Sequence, residues 1–269
     1  MMECKEVMRR LEGLIPPACA SDWDNVGLLV GDPKKKVDKI LVALDASDQV
    51  LDQAEAVGAD MLLTHHPLIF SPVKNVREDD FIGWRIRRMI RMDLSYYAMH
   101  TNYDVCRMGE QAAARMGLDL STVTFLAQEK PFIYEGKPAG FGAVGDLEIP
   151  MSLGDYAAFL KQRFGLPGVI VYGDASQMVY RAATCPGSGK SFGRDALAAG
   201  ADVYVTGDVD YHFGTDMVAQ GMAVIDAGHY GIEHIFIADM RQQVEWLLEG
   251  EVQVEAMPCL LYTSPSPRD

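Results

Sequence analysis

Residues 39–67, KILVALDASDQVLDQAEAVGADMLLTHHP, decide the fold class of this chain. The two short apolar runs Lys39–Asp45 and Met61–Thr64 are typical of strands that are buried on both faces. Between them, Ser47 has the side chain of a helix N-cap, and the helix that it predicts continues to about Val57. A strand, a helix and a second strand in this order form a right-handed crossover in a parallel sheet. The segment therefore predicts an α/β fold.

The alternation of strands and helices continues over the rest of the chain. A third buried strand is predicted at Ser95–His100, and the glycine-rich stretch 123–150, with its alternating apolar residues, predicts antiparallel strands. After it the pattern of helices and strands returns, with a single helix at Gly231–Leu248, and ends with a strand at Val252–Glu255. We therefore predict two related α/β domains, 1–125 and 126–258.

The composition and charge of the chain exclude several classes of protein. With 269 residues, 49% hydrophobic and 23% charged, the chain is long enough and apolar enough to form a globular core. Its 24 basic and 38 acidic residues give a formal net charge of −14, which disfavours direct binding of nucleic acid or of an anionic membrane. Scattered cysteines without a CxxC motif, no signal peptide and no membrane-length apolar run predict a cytoplasmic protein.

The last eleven residues, Cys259–Asp269, are treated apart from the rest of the chain. They read CLLYTSPSPRD, which matches the translation of a widely used transposase sequencing adapter. The alternative that the composition supports is a Ser/Pro-rich tail without fixed structure. We expect the adapter translation and exclude the segment from the reasoning about fold and function.

Two clusters of chemically active side chains follow predicted strands, where α/β proteins place their sites. His65 and His66 come directly after the strand that ends at Thr64, and two adjacent imidazoles are typical metal ligands. The alternative is a surface histidine pair at the start of a loop. His100 and Asp104 form the second cluster, in which one residue would be a ligand and the other its outer partner, or both would simply form a turn.

The third cluster is DAGHYGIEH, 226–234, in which His229 and Glu233 are spaced to lie on one face of a helix. The alternative is a first helical turn that accommodates an acid. Together the three clusters offer nitrogen and oxygen donors without thiolate, which suits Zn, Mn or Fe in a site that keeps a water. Two such ions about 3.5–4 Å apart would activate a water and bind a developing oxyanion.

The segment CPGSGKS, 185–191, resembles a phosphate-binding P-loop, but Thr184 stands where that pattern requires glycine. The segment still predicts a glycine turn at the N-terminus of a helix, and the backbone N–H groups of such a turn can bind an anion. We therefore take Gly187 and Gly189 as candidate substrate-binding residues. The alternative is a tight turn between a strand and a helix.

The segment around Trp23 offers a further candidate. Trp23 could stack on a nucleobase, although a large aromatic side chain is more often buried in a core or an interface. Asp22 and Asp24 on either side of it are expected to be outer partners of a metal ligand or loop caps.

Seven motifs, in chain order, resemble the family of GTP cyclohydrolase 1 type 2 homologues, also called interacting-factor-three-like proteins, and the resemblance covers residues 1–258. The motifs are SDWDNVGLLVGD, ILVALDAS, LLTHHPLIF, MHTNYD, CPGSGKS, VTGDVDYH and DAGHYGIEH. The resemblance implies two α/β domains with the metal site between them, two divalent metal ions per chain and a toroidal homohexamer. The middle domain that some members carry is not expected, because this chain is too short to hold it.

The family's ligand motifs correspond to five residues of this chain: His65, His66, Asp104, His229 and Glu233. The segment after Asp104, VCRMGEQAA, departs from the Gly-Gly-Val-Asn run expected in many members, which puts local substrate contacts in doubt. True GTP cyclohydrolase sites use a cysteine-containing zinc set, and the sequence shows none. The family name therefore gives weak support for that reaction.

Three hypotheses about function follow. The first is a metal-dependent hydrolase that acts on a small nucleotide-like or phosphoester substrate, with His100 as a proton shuttle. The alternative is a non-catalytic metal-binding hexameric scaffold or a metal-handling protein, whose site would be closed to water. A transcription-linked interaction protein is a third hypothesis, and the acidic charge argues against direct contact with DNA.

Overall fold

The computed structural model describes residues 1–257, which form two α/β units. Unit 1 consists of Met1–Cys106 and the described residues from Phe236 onward, and unit 2 is Arg107–Ile235. The sequence analysis placed a single boundary near residue 125, whereas the chain enters unit 2 after residue 106 and returns to unit 1 at residue 236. The adapter translation proposed for Cys259–Asp269 lies outside the described residues.

Unit 1 is built on a five-stranded sheet. Its strands and those of a small ribbon are β1 (Met2–Glu3), β2 (Gly27–Val30), β3 (Lys36–Val37), β4 (Lys39–Ala43), β5 (Met61–Thr64), β6 (Ser95–Ala98) and β14 (Gln253–Ala256). The order in the sheet is β14–β4–β5–β6–β2, in which the first four strands are parallel and β2 is antiparallel to β6. The ribbon pairs β1 with β3. The predicted parallel α/β arrangement is confirmed.

Helices pack against this sheet and bury its apolar runs. They are α1 (Cys4–Leu14), α2 (Asp48–Val57), α3 (Phe81–Arg91), the short α4 (Thr101–Tyr103) and α10 (Ile235–Leu247). Ser47 caps α2 as predicted, since its hydroxyl accepts the N–H of Val50 at 3.3 Å. One buried cluster joins Leu51 of α2 and Met89 of α3 to Leu62 of β5. The continuous apolar character of β4 and β5 follows from burial on both faces.

Unit 2 repeats the architecture with different connections. Its strands are β7 (Ala127–Tyr134), β8 (Lys137–Phe141), β9 (Ala143–Ser152), β10 (Ile170–Tyr172), β11 (Met178–Thr184), β12 (Val203–Thr206) and β13 (Ala223–Asp226). Its helices are α5 (Gly109–Arg115), α6 (Leu153–Phe164), α7 (Gly193–Ala198), α8 (Tyr211–Ala219) and α9 (His229–Glu233). The sheet order is β10–β13–β12–β11–β9, with β11, β12 and β13 parallel and both edge strands antiparallel.

Two features of the second half differ from the prediction. The single helix expected from residue 231 to residue 248 is divided into α9 and α10. The last strand, expected in the second domain, is β14, which pairs in parallel with β4 of unit 1. The antiparallel strands expected within 123–150 are present as the β7–β8 hairpin and β9. Among residues 1–257, no helix is long and apolar enough to cross a membrane.

Candidate metal centre

The chain turns sharply after β5, and this turn carries His65 and His66. The N–H of His66 donates to the carbonyl of Leu44 at 3.0 Å, which ties the turn to the end of β4. The hydroxyls of Thr64 and Tyr96 both donate to the carbonyl of His66 at 2.9 Å. The Tyr96 hydroxyl also accepts the N–H of Leu68 at 2.8 Å. Burial raises the pKa of Tyr96 to about 12, so it stays a neutral donor that holds the turn.

In unit 1 each histidine near this turn uses its Nδ1 in a hydrogen bond to an oxygen of the protein. Carbonyl and carboxylate oxygens only accept, so Nδ1 carries the proton and the neutral ring leaves Nε2 as the ligand atom. This outer partner is the usual companion of a metal-binding imidazole. The bonds join His65 to the carbonyl of Met99 at 2.8 Å, His66 to Asp45 at 2.7 Å and His100 to Asp24 at 3.0 Å.

Four of the predicted residues come together in unit 1. One ligand atom each from His65, His66 and His100 lie within 4.8 Å of one another, an arrangement that could hold a metal ion. Asp104 places its Oδ1 3.4 Å from the Nε2 of His65, whose side chain is fully buried. The structure therefore brings His100, which the sequence analysis assigned to proton transfer, into the same donor group as the predicted ligands.

Asp24 and His100 form a polarised pair at the edge of this group. The Asp24 side chain is fully buried, and its Oδ2 accepts the backbone N–H of Thr101 at 2.9 Å and the Thr101 hydroxyl at 2.5 Å. Burial favours the neutral acid, but the bonds and charge of His100 and the bonds of Thr101 outweigh it and lower the pKa of Asp24 to about 2. Burial likewise disfavours the imidazolium of His100, but Asp24 and the charge of Asp104 outweigh it and raise the pKa of His100.

A second donor group lies in unit 2, where α9 begins shortly after β13. His229 and Glu233 face each other as their spacing predicted, with the Nε2 of His229 3.0 Å from Oε2 of Glu233. The Nδ1 of His229 lies 2.7 Å from Oδ2 of Asp208, so this imidazole is oriented like those of unit 1. Asp208 adopts a left-handed φ of 56°, a conformation that aspartate tolerates better than most residues. Glu233 itself is buried.

Gly187 lies directly against this pair. Its φ is +77°, and a Cβ built on it would fall 2.1 Å from Oε1 of Glu233 and 3.5 Å from Nε2 of His229. The loop can therefore reach the donor pair only with glycine at this position. Gly189 is engaged differently, because its N–H donates to the hydroxyl of Thr206 at 3.0 Å and its carbonyl accepts the hydroxyl of Tyr204 at 2.7 Å. Its predicted contact with a substrate anion remains a prediction.

Two aspartates orient histidines of the site from 21 positions away along the chain. Asp45 lies just past β4, where the sequence places active side chains, but its role as the partner of His66 was not predicted. Asp208 was missed, although it also comes two residues after a buried strand, β12. For Asp24 the expected role as an outer partner agrees with its bond to His100.

The fold and the donor groups define a two-unit α/β protein with His, Asp and Glu side chains of metal-ligand type at the carboxyl ends of its parallel strands. Residues 2–265 match the family model Duf34/NIF3 (NGG1p interacting factor 3), and the chain belongs to this family. The family resemblance drawn from the sequence motifs is confirmed.

The chain is similar to relatives of about its own length and also to longer ones. A GTP cyclohydrolase 1 type 2 homolog of Clostridium perfringens is 32% identical over 256 residues, which cover 94% of this chain and 95% of that protein. A homolog from Halalkalibacterium halodurans is 26% identical over 361 residues, covering 96% of this chain and 97% of that protein. Because 361 exceeds the 269 residues of this chain, that relative has residues without a counterpart here.

Solved structures confirm the fold over nearly all of the chain. A hypothetical protein of Staphylococcus aureus has a TM-score of 0.89 at 28% identity, with 98% of this chain and 99% of that chain covered. Reduced HcgD from Methanocaldococcus jannaschii has a TM-score of 0.78 at 27% identity, with 96% and 98% covered. The two α/β units are therefore an architecture shared with these two solved structures.

Proposed function

We propose that this protein is a metal-dependent hydrolase that binds two divalent ions per chain and cleaves a small nucleotide-like or phosphoester substrate. The ligands would be His65, His66 and Asp104 of unit 1 with His229 and Glu233 of unit 2. The observation that carries the proposal is the shared geometry of the imidazoles, whose Nδ1 atoms are bonded to acceptors so that Nε2 is left for a metal.

The donor set fits divalent ions of the Zn, Mn or Fe type. It consists of imidazole nitrogens and carboxylate oxygens, the donors that suit these ions in sites that keep a bound water. The four cysteines among the described residues are buried, and none of them belongs to the groups that could hold a metal, so a cysteine-containing zinc site is not supported. When bound, the metal pair would supply an activated water and stabilise a developing oxyanion.

The residues around the donors would orient and move protons. Asp45 and Asp208 hold the rings of His66 and His229 by their Nδ1 atoms, which fixes the direction of each Nε2. Asp24 does the same for His100, and we assign to the Nε2 of His100 the transfer of a proton to the leaving group. Gly187 lets its loop lie directly against Glu233, since any larger side chain would collide with that carboxylate, and the loop would then bring its backbone to the substrate.

The assembly and the location of the protein are also proposals. The resemblance to the family supports a homohexamer, and the charge of −14 supports a small-molecule substrate over nucleic acid. The scattered cysteines support the cytoplasm as its compartment. Sedimentation of the full chain would test the hexamer, and a monomer at micromolar concentration would contradict it.

The test of the proposed function joins metal content to turnover. The full chain is purified without added metal, incubated with Zn, Mn or Fe, and analysed by elemental mass spectrometry and by hydrolysis of bis(p-nitrophenyl) phosphate. We expect about two ions per chain and measurable hydrolysis. Glu233→Gln should lose both the bound metal and the hydrolytic activity. Glu245→Gln, which removes an exposed acid paired with Arg241, should keep both.

Two results would contradict the proposal in different ways. Negligible metal in the wild type after incubation with all three ions would remove the metal centre. Two bound ions with no hydrolysis of phosphodiesters or nucleotides would instead favour the alternative, a metal-handling scaffold whose site is closed to water.

A further inference from the structure

Two large aromatic side chains are exposed beside the histidine group of unit 1. Trp23 is 55% exposed and Phe70 is 54% exposed, and their ring centroids lie 5.8 Å apart. The ring of His100 lies 6.1 Å from Trp23 and 6.3 Å from Phe70, with its plane near perpendicular to both. Trp23 therefore does not belong to the core of unit 1, which was one of the roles expected for it.

The backbone around these rings is held firmly. The N–H of Ser21 donates to the hydroxyl of Thr101 at 2.9 Å, and the N–H of Asp24 donates to the carbonyl of Ser21 at 3.1 Å. The side chain of Asn25 donates to the carbonyl of Ile69 at 2.6 Å, which ties the loop of Trp23 to the residue before Phe70. Rings on a fixed backbone lose little conformational freedom when a ligand binds.

Exposure of two such rings is unfavourable unless something covers them. Each leaves about half of a large apolar surface in water, which forgoes the gain from burial. The rings lie beside the group of His65, His66 and His100, which could hold a metal ion, and a metal bound there would attract an anionic group. A planar ring joined to a phosphate satisfies both features, because the ring would stack on the aromatic faces while the phosphate lies toward the metal.

We propose that Trp23 and Phe70 form a stacking subsite for the planar base of a nucleotide, adjacent to His100. The inference rests on the proposed function, since it names the part of the substrate that lies outside the metal centre. Stacking tolerates different bases, because every base presents a π face, so the subsite would select for the presence of a base more than for its identity.

The test compares a ligand that has a base with one that lacks it. The full chain, loaded with Mn, is titrated calorimetrically with GMP and with ribose 5-phosphate. We expect the wild type to bind GMP about tenfold more tightly than ribose 5-phosphate, as stacking on an aromatic side chain would give. Trp23→Ala should bring the two affinities close together, and Trp23→Phe should retain part of the difference.

The matched control is Trp246→Ala, which removes another exposed tryptophan, 73% exposed on α10. This variant should keep the full preference for GMP. Phe70→Ala gives a second, independent variant at the subsite and should reduce the preference as Trp23→Ala does. Circular dichroism checks that each variant is folded, and substitution of exposed side chains is not expected to change the fold.

Two results would overturn the subsite. The wild type could bind both ligands equally, or Trp23→Ala could keep the tenfold preference. If Trp23→Ala keeps the preference and also has a lower sedimentation coefficient, the pair belongs to an interface between copies of the chain. The hydrolase proposal fails separately: a wild type that prefers GMP but hydrolyses no phosphoester contradicts the hydrolase and leaves the subsite standing.

Discussion

At the scale of single residues, the candidate centre depends on positions that donate nothing to a metal. Asp45 and Asp208 fix imidazole rings through Nδ1, and Gly187 leaves space for a buried carboxylate. Outer partners of this kind typically change metal affinity by about 10–100-fold when they are removed.

Gly187→Ala should lower metal affinity by at least about tenfold, because the new Cβ would displace Glu233 from His229. It should also lower the free energy of unfolding by about 1 kcal/mol, since alanine disfavours the φ of +77°. Competition with a fluorescent chelator gives the affinity, and urea unfolding gives the stability.

The control for Gly187 is Gly200→Ala. Gly200 has a similar φ of +74°, but nothing lies within 4 Å of the Cβ that the substitution adds. It should show the loss of stability without the loss of metal affinity. Equal metal affinities of the two variants would show that Gly187 does not position Glu233.

Asp24 should make the stability of the apoprotein depend on acid pH. Its folded pKa of about 2 lies below the ordinary value of 3.8, so the ionised carboxylate favours folding. The gap corresponds to about 2 kcal/mol, fully present above about pH 5 and lost as the pH falls toward 2. In urea unfolding from pH 7 to pH 2, Asp24→Asn should be less stable at pH 7 and approach the wild type in acid.

The comparison for Asp24 is Asp22→Asn, which changes an exposed aspartate two positions away. We expect this variant to follow the wild type within about 0.5 kcal/mol at every pH. A constant difference between Asp24→Asn and the wild type over the whole pH range would contradict the ionised role of Asp24.

At the scale of elements, neighbouring parallel strands place the donors. β5 ends at Thr64 immediately before the histidine pair, and the adjacent β6 ends two residues before His100. Tyr96 of β6 reaches across to the turn after β5 through its hydroxyl. The pairing of these two strands therefore sets both the positions of the histidines and the shape of the turn that carries them.

Tyr96→Phe should destabilise the turn after β5 and weaken metal binding. The variant leaves the N–H of Leu68 without its acceptor and removes one donor to the carbonyl of His66. We expect the free energy of unfolding to fall by about 1–3 kcal/mol. Chemical denaturation and chelator competition measure the two effects.

Tyr97→Phe is the matched control on the same strand. Tyr97 is also fully buried, but its hydroxyl contacts Glu12 at 3.5 Å and not the turn. Its loss should cost less than about 1 kcal/mol and leave metal affinity unchanged. If both tyrosine variants lose metal affinity equally, the hydroxyl of Tyr96 has no specific role in the centre.

At the scale of the whole molecule, the ligand set proposed from the family resemblance includes residues of both parts of the chain. His66 lies in unit 1 and Glu233 in unit 2. A ligand that binds only the folded protein stabilises it by about 2.7 kcal/mol at 100 times its Kd. Metal should therefore raise the melting temperature, and a chelator should reverse the shift.

The dependence on both units can be measured with single variants. His66→Ala and Glu233→Gln should each reduce the metal-induced shift in calorimetry, whereas Glu245→Gln should keep it. A full shift in Glu233→Gln would show that the donors of unit 1 bind metal without help from unit 2, which would contradict the proposed ligand set.

Many of these strands, helices and donor residues can be predicted from the sequence, because they depend on local patterns. The apolar runs of β4 and β5 predict buried strands, Ser47 predicts the start of α2, and the four-residue spacing predicts that His229 faces Glu233. The donors themselves could be named because parallel strands place active side chains just beyond their ends. Each of these inferences uses residues within a few positions of one another.

Sequence alone therefore determined the fold class and most of the elements of this protein and predicted its donor residues, because backbone propensity and periodic burial act over short stretches of chain. Tertiary structure decided that β14 joins the sheet of unit 1, that Asp24 holds a histidine 76 positions away, and that Trp23 is exposed. These three features depend on contacts between residues that are far apart in the chain. Local periodicity does not predict such contacts.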